Sequence, residues 1–175
     1  MKVLGLVFTL LLVSANVSAT PLKTGDALPV VQGKSLDGSP GELPKGLGGK
    51  TAVIAFGFSR DAGGVIRSWA EQIGNDAIVY QVPVLEGVPR LFRSLTESSI
   101  RKDSGEKYKD RVLMLYREEK EWRSRLGVAD DKTAHIVVVD TTGRVVDRLS
   151  GAPSAALIER VRSALSGSAP VNPDR

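Results

Sequence analysis

The chain has 175 residues, with 24 Lys and Arg against 20 Asp and Glu, 42% hydrophobic residues, one histidine and no cysteine. That length predicts one domain, and a hydrophobic fraction of this size beside 25% charged residues excludes a disordered or fibrous chain. With no cysteine there can be no thiol redox chemistry, iron–sulfur cluster or Cys-ligated zinc, and one histidine excludes a multi-His metal site. We expect no metal and no cofactor.

Residues 1–19 have the layout of a secretory signal: Met1-Lys2 as a charged start, an apolar run from Val3 to Val13, then small residues through Ala19, with Val17 and Ala19 at the cleavage positions. The run is shorter than the roughly 20 residues a membrane-spanning helix needs, so removal is expected ahead of retention as an anchor. The expected location is the periplasm or the extracellular space. Loss of Lys2 with this segment takes the net charge from +4 to +3.

Residues 20–50 carry Pro29, Pro40, Pro44 and a turn at Asp37-Gly38. They read as an N-terminal arm with a short strand pair, laid over a domain spanning residues 51–165. The apolar run Thr51 to Ser59 has the character of a central strand covered on both faces. Val65, Ile66, Trp69, Ala70 and Ile73 recur at helical spacing, and a strand follows from Ala77 to Val84. Pro89 opens a second helix carrying Leu91, Phe92, Leu95 and Ile100, followed by a strand from Val112 to Tyr116. A short helix, Glu118 to Leu126, ends at Gly127. The strand Ala134 to Asp140, the turn at Thr141-Thr142-Gly143 and the returning strand Arg144 to Leu149 form a hairpin. A last helix, Pro153 to Leu165, places Ala156, Leu157, Val161 and Leu165 on one face, and residues 166–175 read as a flexible tail.

This alternation predicts an α/β fold, a three-layer sandwich with a mixed central sheet, helices on both faces and a C-terminal hairpin plus helix. It resembles the thioredoxin arrangement. Gly49-Lys50-Thr51 running into Ala52 to Phe56 resembles the strand entry of exported thiol-disulfide oxidoreductases and peroxiredoxins, and Val137 to Gly143 resembles their later strand and turn. In that comparison Asp61 and Gly64 fall where the two cysteines of a C-x-x-C pair would lie. The residues facing them are Ala134 and His135, where those proteins carry a cis-proline. A narrower likeness, over roughly residues 50–150, is to the family of the mitochondrial ATP synthase assembly factor called ATPase complex subunit ten. It rests on the segments AFGFSRDAGGVIRSW, VPVLEGVPRLFRSLTESSIRK and RVLMLYREEKEWRSRLGVADDKTAHIVVVDTTGRV. It implies a cysteine-free thioredoxin-like core with a tryptophan late in the first helix, as Trp69 is, and a basic stretch after the second, as Arg101-Lys102 is. It also implies a role in assembling a membrane complex.

His135 reads as a structural, hydrogen-bonded histidine. A catalytic role would need Ser59, Ser68 or Asp61 brought within reach. Asp61 reads as the cap of the first helix, with a ligand-binding loop at Gly63 and Gly64 as the sharper alternative. Trp122 reads as the inward residue of a short helix with Leu126, or as an exposed partner anchor. A ligand carrier would line a pocket between the arm and the sheet with Phe56, Phe58 or Leu91.

These readings combine into a non-catalytic binding protein for a protein client, a subunit of a membrane complex, with peripheral membrane contact as a further expectation. Export argues against a nucleic-acid partner. The expected binding face is Phe58, Ser59, Arg60, Asp61, Gly63 and Gly64 with Ala134 and His135. Its basic flank is Arg90, Arg93, Arg101 and Lys102. The alternatives are a small-molecule carrier or a cysteine-independent enzyme working beside His135.

Overall fold

A computed structural model of the chain describes residues 19–167. The expected signal before Ala19, and the expected tail beyond Gly167, lie outside the described residues. β1 (Val31–Ser35) and β2 (Pro40–Leu43) form the hairpin expected in the arm. Gly38 takes a φ of 95° at its turn, a conformation open to glycine at little cost. Donors from Ser35 and Ser39 converge on Asp37 and hold its carboxyl down to about 2.

β3 (Ala52–Gly57) is buried along its whole length. It runs parallel to β4 (Ile78–Pro83) and antiparallel to β6 (His135–Val139), which pairs with β7 (Val145–Ser150). The sheet order is therefore β4-β3-β6-β7. β5 (Leu113–Met114) pairs with β1, while bridges from Val112 and Leu115 to Gln81 and Val84 join it to the β4 edge. The arm hairpin thus extends the sheet beyond β4.

Successive residues of a strand face opposite ways, and the central strands sort their side chains between two cores accordingly. Val53 and Ala55 of β3, with Ile136 and Val138 of β6, pack against Ile66, Trp69 and Ile73 of α1 (Arg60–Ile73) and Ile158 and Val161 of α4 (Ala155–Gly167). Trp69 is fully enclosed, and its indole N–H donates to the Gly151 carbonyl at 2.9 Å. The opposite face carries Ile54, Phe56, Val137 and Val139. Arm residues Leu22, Leu28, Leu43 and Leu47 cover it, with Trp122 and Leu126 of α3 (Glu119–Leu126). Gly57, at the end of β3, lets α1 approach: a Cβ there would meet Ile66 Cδ1 at 2.6 Å and Ala62 Cβ at 3.0 Å.

Several expectations need correction. α2 (Arg90–Ser104) buries only Ser104, and Leu91, Phe92 and Leu95 are 89, 57 and 70% exposed. Its inward face is instead Arg93, Glu97, Ile100 and Ser104, with the exposed Arg101 beside them. Glu97 accepts from the Tyr116 hydroxyl and pairs with Lys34, and Arg101 donates to the Leu36 carbonyl. Those bonds orient the helix with its apolar side outward. On α4, Ile158 is buried where Ala156 was expected, because Ala156 faces solvent. That helix also runs through Ser166 and Gly167, which were expected in the tail. Among the described residues no helix is long and apolar enough to cross a membrane.

Candidate functional site at the start of the first helix

α1 starts directly after β3, so its first turn stands at one end of the central sheet. Ser59, not Asp61, caps it: the extended Ser59 backbone turns the chain, and its Oγ accepts from the Ala62 N–H at 3.2 Å. The same hydroxyl donates to the Asp131 carbonyl at 2.7 Å. Asp61 lies inside the first turn and is exposed. There its charge complements the helix dipole without taking the cap's hydrogen bond. A Cβ added at Gly63 or Gly64 would meet nothing nearer than the Arg67 guanidinium, at 4.0 and 3.8 Å. The outer side of this turn is therefore open.

The other half of the expected face is not on the surface. Ala134 is fully buried and His135 is 6% exposed, because β6 begins at His135 in a sheet covered on both faces and Ala134 immediately precedes it. His135 Nε2 lies 3.3 Å from the Asp130 carbonyl, and the ring stands edge-on to Phe58 with centroids 5.9 Å apart. Burial lowers the imidazole pKa below its usual value, and the positive charges of Arg148 and Arg123 act the same way. The hydrogen bond that the ring donates to the Asp130 carbonyl opposes both. Ser59 and His135 thus bond to neighbouring backbone carbonyls, and no Ser–His hydrogen bond exists among the described residues. Phe58 is nearly buried, with the Arg123 guanidinium 4.9 Å over its ring.

The basic flank divides in two. Arg93 donates to the Val88 carbonyl at 3.2 Å and lies over the Tyr116 ring, and Arg101 is tied to Leu36. Arg90 and Lys102 are exposed and make no ion pair among the described residues. Trp122 is not a partner anchor: it is fully buried and stacked on Phe56 at 4.8 Å, its Nε1 without a partner. Among the described residues no cluster of three or more His, Asp or Glu could hold a metal ion.

What the sequence reading missed is a groove of about 490 Å³ between α1 and α2. Phe58, Pro83, Val84 and Leu85 line it on the sheet side and Leu95 on the α2 side, with Arg60 at its mouth. Arg67 and Asp103 also line it, and they pair at 3.7 Å between the two helices. Of the three residues proposed for a carrier pocket, Phe58 alone lines this groove. Phe56 is locked against Trp122, and Leu91 points to solvent. The sequence does hold a trace of the groove in Leu95 and Ile100, the apolar residues of α2 that line it.

No family model matches the sequence, and no curated protein matches it. Solved structures do. The thioredoxin domain of a thiol-disulfide oxidoreductase from Bacteroides vulgatus matches at 18% identity and a TM-score of 0.53, over 83% of this chain and 97% of that one. BsSco, a member of the Sco family of cytochrome c oxidase assembly proteins, matches at 13% and 0.55, over 83% and 96%. A peroxiredoxin-like protein from Aquifex aeolicus matches at 16% and 0.56, over 84% and 90%. Together they establish the thioredoxin-like fold. They lend nothing to the narrower likeness to ATP synthase assembly factors, which stays a resemblance of the sequence.

Proposed function

We propose that this thioredoxin-fold chain is an exported, non-catalytic binding protein that assists assembly of a membrane protein complex, holding a client subunit at the open start of α1. The observation that carries this reading is the pairing of two features at one end of the sheet. In the redoxin likeness Asp61 and Gly64 fall where a redox pair would lie, and α2, whose Leu95 shares a groove with Arg60 and Gly63, presents Leu91, Phe92 and Leu95 to solvent. A fold without thiols keeps its helix start accessible and adds an apolar surface, which suits binding.

Three further points support it. The hydrogen bonds of Ser59 and His135 to backbone carbonyls occupy the groups that a hydrolytic mechanism would use. BsSco, of similar fold, belongs to a family of assembly proteins. The secretory layout of residues 1–19 would bring the chain to the compartment where exported domains of membrane subunits are found.

The test is photocrosslinking in the native envelope from Arg60 and from Phe92, with Glu71 as a control position on the same helix as Arg60. Capture of one membrane-complex subunit from both test positions, and not from Glu71, supports the assembly reading. Equal yields from all three positions would remove it.

A further inference from the structure

We propose that the space between α1 and α2 binds a small carboxylate with an apolar tail, its head at Gln81, Ser104 and Arg67 and its chain along the groove. Gln81 motivates this. It sits in the middle of β4, opposite Ala55, among Ile78, Val79, Tyr80 and Val82, and is 3% exposed. Its Nε2 has no hydrogen-bond partner. A buried donor left unpaired is costly, and a leucine here would fill similar space without that cost.

Gln81 lines a small cavity of about 40 Å³, and Ser104 and Arg67 line it too. Ser104 is 8% exposed, and its hydroxyl is unpaired among the described residues. Among the described residues Arg67 makes one ion pair, at 3.7 Å with Asp103, whose side chain is 45% exposed. The cavity has room for one water, about 30 Å³, or for the head of a carboxylate. A side-chain carboxamide, a hydroxyl and a guanidinium line it together, and the acceptor-only group that best matches their donors is a carboxylate.

The small cavity shares Gly63, Arg67, Pro83 and Ile100 with the 490 Å³ groove above it. That volume lies within the roughly 300–1,000 Å³ of small-molecule sites. Phe58, Val84, Leu85 and Leu95 give the groove apolar sides for a chain, and Arg60 adds positive charge at its mouth. Such a ligand satisfies the donor the fold leaves unpaired and covers apolar surface the fold leaves open. The two readings share Arg60 and Leu95 in the groove, whereas the head site at Gln81 and Ser104 belongs to this inference alone.

The test is titration of the full chain with decanoate carrying ¹³C at C1, followed by NMR, with 1-decanol as the neutral comparator. We expect one saturable site that prefers decanoate at least tenfold over decanol. Gln81→Leu should weaken decanoate at least tenfold while raising the melting temperature, and Arg67→Gln should weaken it about fivefold. Glu71→Gln, outside the groove, should leave it unchanged. Absence of saturable binding overturns the proposal. So does an affinity that Gln81→Leu and Arg67→Gln both leave intact, which would assign the small cavity to a bridging water. If Gln81→Leu does not fold, Arg67→Gln and the decanol comparison still decide.

Discussion

Replacing Trp122 by alanine distinguishes its two sequence readings most sharply. In the surrounding segment, Arg117 to Arg123, every residue except Trp122 is charged. A tryptophan exposed there would change stability by no more than about 0.5 kcal/mol when truncated. In the fold its indole is fully buried, stacked on Phe56 at 4.8 Å and packed with Leu126 and the arm leucines. Truncating a buried Trp costs about 3–5 kcal/mol. The unpaired indole N–H places the expected loss toward the lower end, because its removal relieves a buried donor. For a chain of this size each kcal/mol shifts the melting temperature by about 2–4 °C, so Trp122→Ala should melt roughly 6–20 °C lower. Trp122→Phe keeps a ring against Phe56 and drops the unpaired donor, and should lose less than half as much. The assay is thermal unfolding followed by far-UV circular dichroism. An alanine variant melting within about 2 °C of the parent would refute the burial argument, and with it the role of the arm as a lid over that core.

Three further outcomes follow from the same geometry. Ser59→Ala should cost about 1 kcal/mol through loss of the cap, whereas Asp61→Ala should cost less, since Asp61 contributes only through the dipole; urea denaturation of both variants checks the order. His135 is held neutral by burial, so its contribution is full above its ordinary value of 6.5 and declines as pH falls from there through the lowered value of the folded state. Unfolding curves measured across that window should therefore show a loss of stability on acidification that His135→Asn lessens, and equal slopes in the two proteins would contradict it. Gly57→Ala should destabilise by about 1–3 kcal/mol through overpacking against Ile66 and Ala62, and a neutral result in chemical denaturation would show that α1 has room to shift.

Much of the architecture was legible because it rests on local pattern. The apolar runs of β3 and β6, the helical spacing of Ile66, Trp69 and Ile73, and the Thr141-Thr142-Gly143 turn each follow from periodicity or turn chemistry. Asp61 was credited with the cap because the sequence shows two capping residues two apart and does not show where the helix begins. The face at Ala134 and His135 rests on an analogy of position, and both are buried because the sheet is covered on both faces where β6 begins.

The sequence by itself determined that this chain can perform no thiol chemistry of its own, since no cysteine is present, and that its strands and helices alternate toward one mixed sheet. Tertiary structure alone decided that α2 lies on polar ties with its leucines outward, that Trp122 points in, and that Gln81 is left unpaired above a small cavity. The physical reason is that a residue's period records which residues share a face, while the partner that face meets is set by elements distant in sequence. Glu97 turns α2 through Tyr116 and Lys34, 19 and 63 residues away, and no window along the chain contains all three.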